Sequence, residues 1–343
     1  MYGLARALLF RLDAEAAHEV VTAQLARLQG HPPLLRLVAS RCAASDARVV
    51  WGLRFPNRFG IAAGFDKDVL LPAALFALGF GFVEVGTITL RPQAGNPRPR
   101  LFRYPESRAL VNRMGFNNGG AEAAAARLRA FVEHRGTPVE RGPLFVNVGK
   151  NREVSGDAAP AAYAACYRFV APWAEGAVVN VSSPNTPNLR DLQRPRHLAA
   201  ILEEVREARE KISFETKGMH PILVKIAPDL ERAELEEIAE VAVRLADGMV
   251  ATNTTLDHSA LPAGTDEAGG LSGAPLFERS TAVLRHLREI VGPDFPLVGV
   301  GGVMGGGGAR AKLEAGADLV QTYTGFIYGG PRFARTVVRE MAR

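Results

Sequence analysis

The chain has only two cysteines, Cys42 and Cys166. That scarcity rules out a disulfide framework and a cysteine-based metal site, and it fits a reducing compartment. The histidines show no HExxH motif and no paired His/Cys spacing, so no metal is expected. No run of about 18 apolar residues occurs, which excludes a membrane-spanning helix. The first residues lack the long apolar core and small-residue cleavage site of a signal peptide. Basic residues outnumber acidic ones by 41 to 36, for a net charge of +5 and a pI near 9.4. That balance permits an anionic ligand or an anionic membrane surface. No lysine- or arginine-rich block of a binding arm accompanies it, so nucleic acid is not expected as a partner. Internal repeats and low-complexity segments are also missing, and the GGGG at 305–308 is too short for a linker.

What is present is a folded composition, 47% hydrophobic with 22% charge, in 343 residues. This length allows two ordinary domains or one large α/β barrel. From Phe59 onward, eight short apolar runs recur: 59–64, 81–89, 144–150, 176–182, 221–227, 248–254, 296–302 and 319–325. Each is continuous rather than alternating, as in a parallel sheet buried on both faces. Helical patterns separate most of them. The clearest is LEEIAEVAVRLADG (235–248), with Gly248 read as its C-terminal stop. Eight βα units predict an α/β fold, a (β/α)8 TIM barrel, with a doubly wound open sheet as the alternative.

Polar residues gather at the C-terminal ends of these runs, where barrel active sites lie. They include Lys67, Thr87, Asn147, Asn180, Lys225, Thr252 and Asn253. The most informative stretch is NVSSPNTPNLRDLQ (180–193). Pro184 and Pro187 stop any helix and stiffen a loop that displays Ser183 between Asn180 and Asn185. Amides offer both a donor and an acceptor to a planar polar ligand. Gly301-Gly302 and Tyr323-Thr324 end the last two runs, the usual place for phosphate in barrels. In AAGFDK (62–67) the backbone can lie flat against a ring while Lys67 reaches a substrate anion. Lys225, inside the barrel mouth, needs an anionic partner: a flavin ring or a structural acid. In NRMGFNN (112–118), the asparagines supply amides, Arg113 contacts an anion or supports the loop, and Met114 and Phe116 pack. Cys166 packs on a helix.

Residues 1–45 differ. Leu4, Leu8, Leu9 and Leu12 share one helical face, and Asp13 reads as the N-cap of a second helix that ends near Gly30. Pro32-Pro33 opens a third segment. This segment either packs on the barrel or forms a membrane-surface hairpin, with leucines in lipid and Arg6 and Arg11 at the headgroups. His18 by default is a solvated helix-face histidine. The chain is divided into a helical module, 1–45, and a barrel, 46–343.

The motifs AAGFDK, FVEVGTIT (82–89), RPQAGNPRPRLFR (91–103), NRMGFNN, VNVGKN (146–151), NVSSPNTPNLRDLQ, LVKIAPD (223–229), ATNTTLD (251–257) and LVQTYTGFIYGGP (319–331) together resemble class 2, quinone-dependent dihydroorotate dehydrogenases, essentially end to end. The resemblance implies a barrel carrying FMN, oxidation of dihydroorotate to orotate in de novo pyrimidine biosynthesis, and reoxidation by a ubiquinone-type quinone. It implies that Ser183 is the general base for the C5 proton. Asn112, Asn180, Asn185, Asn253 and Thr254 would hold the pyrimidine and its carboxylate with Lys67, and the loop residues Arg113, Met114, Gly115 and Phe116 belong to the same side. Ala63, Gly64, Phe65, Asp66, Lys67, Thr87, Asn147 and Asn180 would contact FMN, as would Lys225, Thr252, Gly273, Gly302, Tyr323 and Thr324. His18 and Arg103 match positions lining the quinone tunnel. The expected location is peripheral, on the cytoplasmic face of the cell membrane.

The sequence departs from the family pattern at three places. Val69-Leu70-Leu71 stands where a glycine or alanine and an acid are usual. Asn188 replaces a glycine, and VGGVMGGGG replaces a serine-containing helix cap. Class 1 enzymes carry cysteine at the position of Ser183. A dihydrouridine synthase would require a catalytic cysteine and a basic RNA-binding domain. A non-catalytic barrel remains the reading from outside enzymology.

Overall fold

The computed structural model describes residues 2–42, 46–133, 141–212 and 219–342. The expected boundary after residue 45 falls at the edge of 43–45, which lie outside the described residues. Eight parallel strands close into a barrel. They are β1 (Phe59–Ile61), β2 (Phe82–Ile88), β3 (Leu144–Val148), β4 (Gly176–Asn180), β5 (Ile222–Ile226), β6 (Gly248–Ala251), β7 (Leu297–Val300) and β8 (Leu319–Thr322). Each strand pairs with its sequence neighbours, and β8 closes on β1 through Gln321 opposite Gly60. All eight coincide with the apolar runs, and the open-sheet alternative fails on this closure.

Among the described residues, nine α-helices follow strands around the outside or finish the chain, and three precede them. The first three are α1 (Tyr2–Leu9), α2 (Ala14–Gln29) and α3 (Pro32–Cys42). Then come α4 (Pro72–Ala77), α5 (Ala121–Glu133), α6 (Ala159–Val170), α7 (Pro195–Glu210), α8 (Arg232–Leu245) and α9 (Phe277–Val291). The last are α10 (Gly306–Glu314), α11 (Thr324–Gly329) and α12 (Phe333–Met341). Asp13 caps α2 as expected, its carboxylate accepting the N–H groups of Glu15 and Ala16. Gly248 is not a helix stop: α8 ends at Leu245, and Gly248 is the first residue of β6. A Cβ there would meet Pro296 O at 2.8 Å, so close packing at the barrel floor explains the glycine.

Alternation along the strands positions the site. Residues Phe82, Phe145, Val178, Leu223, Val250, Val298 and Leu319 point into the barrel and form an apolar plug. The intervening residues, such as Val83, Val146, Val179 and Val224, face the helices. The antiparallel hairpin of Arg48–Val50 and Leu53–Phe55 closes the barrel floor with Trp51 and Phe55. Because side chains repeat every two residues, the next inward layer is Glu84, Asn147, Asn180, Lys225, Thr252 and Gln321, with Val300 as an apolar member. Apolar packing ends there and polar chemistry begins. A second sheet, of Leu101–Tyr104, Ala109–Asn112 and Gly270–Gly273, carries Asn112 and Gly273 to the barrel mouth.

Candidate active site

The mouth encloses a cavity of about 1000 Å³, its open entrance included. Its lining brings together most of the expected residues. Ala63, Gly64, Lys67 and Thr87 come from the first two strand ends, Asn180 from the end of β4, and Ser183 and Asn185 from the loop after it. Lys225 stands in β5, Thr252, Asn253 and Thr254 follow β6, and Gly302, Tyr323 and Thr324 follow β7 and β8. Asn112, Met114, Gly115, Phe116 and Gly273 complete the wall from the second sheet and its loop.

Four residues expected at the flavin or substrate, Phe65, Asp66, Arg113 and Asn147, lie off this lining, and so do His18 and Arg103, expected at a quinone tunnel. Phe65 turns away to pack on Phe326, with centroids 5.0 Å apart. Asp66 is buried behind the wall, accepting the N–H groups of Leu70 and Leu71 at 2.8 Å. Those bonds hold the unusual Val69 turn, where Val69 adopts φ 58°. Arg113 supports its loop, donating to Pro99 O at 2.9 Å and stacking on Phe102. His18 is half-buried rather than standing free on a helix face: it meets Phe65 edge-on at 5.2 Å. Burial, followed by the Lys67 charge, lowers its pKa to about 3, so it is neutral. Arg103 clamps the α1–α2 turn by donating to Leu9 O, Phe10 O and Leu12 O.

Asn147 is fully buried one step below the lining. Its amide accepts from Thr87 Oγ1 at 2.6 Å and from Asn180 Nδ2 at 3.1 Å. Asn147 Nδ2 donates to Glu84 Oε1 at 2.6 Å. Glu84 was missed in the sequence, although a lone acid inside FVEVG was the available signal. The reading of Lys225 as half of a structural ion pair is therefore partly right, because Glu84 is 3.7 Å away. Wall residues Ser272, Leu276, Val303 and Met304 also went unassigned. Ser272 lies on the strand Gly270–Gly273 and Leu276 on the turn after it, while Val303 and Met304 follow β7.

The Ser183 loop is rigid. Asn188 takes φ 57°, the left-handed conformation that asparagine tolerates in place of glycine. Arg190 ties the loop to its neighbours, donating to Ser182 O, Thr254 O and Asp229. Ser183 is buried, and its Oγ accepts the Asn185 N–H at 3.3 Å. Asn185 Nδ2 donates to Asn112 Oδ1 at 3.0 Å, joining the loop to the second sheet. Asn253 donates to Ser182 Oγ and accepts from the Thr254 N–H.

Three observations test whether an anionic, planar group fits. The lining contains two cations, Lys67 and Lys225, and no carboxylate among the described residues. Lys67 makes no hydrogen bond or ion pair among them, and burial, opposed by Glu15, lowers its pKa to about 8. Thr254 Oγ1 is buried without a partner, facing a cavity that can supply one. Gly270 makes that hydroxyl possible, because a Cβ there would lie 1.9 Å from it. Gly302, at φ 73°, turns the wall against Phe277, where a Cβ would meet Cα at 2.4 Å. An apolar-walled cavity with two cations, neither hydrogen-bonded to an acid among the described residues, and convergent amides suits an anionic heteroaromatic occupant.

The family model for dihydroorotate dehydrogenase matches residues 47–343. A dihydroorotate dehydrogenase (quinone) of Acidovorax sp. (strain JS42) is 48% identical, covering 96% of this chain and 95% of the relative. One of Stenotrophomonas maltophilia (strain R551-3) is 47% identical, covering 100% and 96%. The crystal structure of DHODH in complex with ferulenol from Eimeria tenella superposes with a TM-score of 0.86 at 34% identity, over 96% of this chain and 90% of that one.

Proposed function

The chain belongs to the dihydroorotate dehydrogenases, in the quinone-dependent class 2 branch, and on that premise we propose that its cavity binds FMN beside dihydroorotate and serves de novo pyrimidine biosynthesis. The observation that carries this reading is one cavity holding Ser183, two cations without hydrogen-bonded acids, and a ring of amides. The chemistry FMN supplies when bound is acceptance of the C6 hydride and onward transfer of two electrons to quinone. Its holders would be the 63–64 backbone, Thr87, Asn180, Lys225, Thr252, Gly273, Gly302, Tyr323 and Thr324. Asn147 would act from behind, through Thr87 and Asn180.

Ser183 removes the C5 proton in this reading. Its Oγ accepts one backbone N–H, which favours the oxyanion over the free hydroxyl. The Pro184–Pro187 stretch fixes its position, and positioning is a large part of general-base efficiency. Lys67 meets the substrate carboxylate. Asn112, Asn185, Asn253 and Thr254 orient the pyrimidine edge, and Met114, Gly115 and Phe116 cover it. Arg113 acts only by holding their loop.

Residues 1–45 form the quinone and membrane module in this proposal. Among the described residues, no helix is long and apolar enough to cross a membrane. Leu4, Leu8 and Leu12 on α1 and its turn are exposed, as are Leu34 and Leu37 on α3. Such a face can lie in the interface of the cytoplasmic leaflet. His18 contacts Phe65, which packs on Tyr323 of the cavity wall, so α2 approaches the site through two side chains. Arg103 fixes the α1–α2 turn over that approach. Denaturing the purified protein tests the cofactor: FMN should be released, and release of FAD, or failure to take up any flavin, counts against the reading.

A further inference from the structure

Lys312 is fully buried on α10, on the side of the cavity where β7 ends. Its Nζ donates to Ser280 Oγ at 2.7 Å and sits 5.3 Å from the centre of the Phe277 ring. No carboxylate lies within ion-pair distance of it among the described residues. Ser280 Oγ has three carbonyl acceptors in reach: Leu276 O at 2.8 Å, Gly301 O at 3.0 Å and Phe277 O at 3.1 Å. Leu276, Gly301 and Gly302 are themselves cavity wall. The lysine therefore stands one residue layer behind the wall, joined to it through a single hydroxyl.

An unpaired buried ammonium is costly, and an apolar side chain of similar length would fill the same space. Ser280 alone could hold the turn without it. A fixed positive charge behind a glycine turn is useful if an anion lies in front of the turn. We propose that Lys312 is a positioning residue for the cofactor phosphate, a counter-charge acting through Ser280 and the Gly301–Gly302 turn without direct contact. Burial, opposed by Glu278, lowers the lysine to about 7, so an anion across the turn would favour its charged form. The chain's departure at 305–308, glycines where the family has a serine-containing cap, removes a side-chain hydroxyl from that end of α10. The buried cation would then carry more of the selectivity for phosphate. This inference rests on the FMN reading above.

The test compares FMN with riboflavin, which lacks the phosphate. Flavin-free full-length protein is titrated with each, following quenching of flavin fluorescence. Wild type should prefer FMN. Lys312→Met should lose about tenfold or more in FMN affinity, about 1.4 kcal/mol, with riboflavin affinity unchanged. Ser280→Ala, which keeps the charge and removes the link, should lose a smaller part of the same preference. A folded Lys312→Met that keeps the wild-type ratio, or weakens both flavins equally, overturns the proposal while leaving the FMN reading intact. If Lys312→Met does not fold, Ser280→Ala decides: a loss confined to FMN supports the relay, and an unchanged ratio overturns it. Wild-type protein that binds neither flavin removes both the inference and the reading beneath it.

Discussion

Lys225 Nζ stands 3.7 Å from Glu84 Oε1 without hydrogen-bonding to it. Both carboxylate oxygens are already engaged, Oε1 by Asn147 Nδ2 and Oε2 by Gln321 Nε2, each at 2.6 Å. The acid neutralises the lysine at a distance and leaves its donors to the cavity. Both side chains are almost fully buried, so removing one partner leaves the other uncompensated. Lys225→Met should cost about 3–5 kcal/mol in chemical denaturation and lower flavin content. Adding Glu84→Gln should recover much of the stability but not the flavin. Recovery of both would show that Lys225 serves the fold alone.

If Lys67 meets the substrate carboxylate as proposed, it should set a pH limit on substrate binding. Its pKa near 8 follows from burial, offset mainly by Glu15. Below that pH it is a cation that can hold a carboxylate; above it the charge is lost. Orotate affinity, read from perturbation of the bound-flavin spectrum, should be level below about pH 8 and fall up to about tenfold per pH unit above it. In Lys67→Met the affinity should be low and flat through this range. Stability moves the other way. The unfolded chain holds this proton more tightly, so the group's penalty is full below pH 8 and lifts between about 8 and 10.5.

Arg100 fastens the helical module to the barrel. Its Nε lies 3.1 Å from both Glu15 oxygens, one terminal nitrogen donates to Oε1 at 2.7 Å, and both side chains are buried. Glu15→Ala would strand a buried guanidinium, at a cost of about 3–5 kcal/mol. Limited proteolysis should cut at the α1–α2 turn faster in this variant. Turnover with a long-tail quinone should drop more than flavin reduction by dihydroorotate. Equal losses in both would mean that α2 supports the whole site.

Deleting residues 1–45 separates the two half-reactions more sharply. The barrel closes without them, since β1 starts at Phe59. FMN binding and reduction by dihydroorotate should persist, while liposome binding and long-tail quinone turnover fall. A truncated, FMN-loaded protein that still binds liposomes and turns over such a quinone normally would reduce the module to packing.

The barrel was legible because each strand is a short apolar run buried on both faces, and the polar residue ending each run marks the mouth. The hairpin at 48–55 and the second sheet were not. Their pairing is antiparallel, and Gly270 pairs with Asn112, 158 residues away in sequence. Nothing local predicts such a pairing. Site residues projecting from strand ends, Asn180 and Lys225 among them, meet at one cavity because strand direction alone sets where they point. Loop and helix residues such as Phe65, Arg113 and His18 were placed by resemblance, and their side-chain directions depend on packing that the sequence does not display. Glu84 and Lys312 escaped for a related reason. Each is a single charge in an otherwise ordinary element, and its meaning appears only when its neighbours are known.

Rapid anaerobic mixing of FMN-loaded protein with dihydroorotate tests the central claim most directly, with the visible flavin band as the readout. The band should bleach quickly in wild type, and about 10²–10⁴-fold more slowly in Ser183→Ala at equal flavin content. A flavin-loaded wild type whose band is unchanged by dihydroorotate, or a Ser183→Ala variant that bleaches at the wild-type rate across pH, would contradict the account.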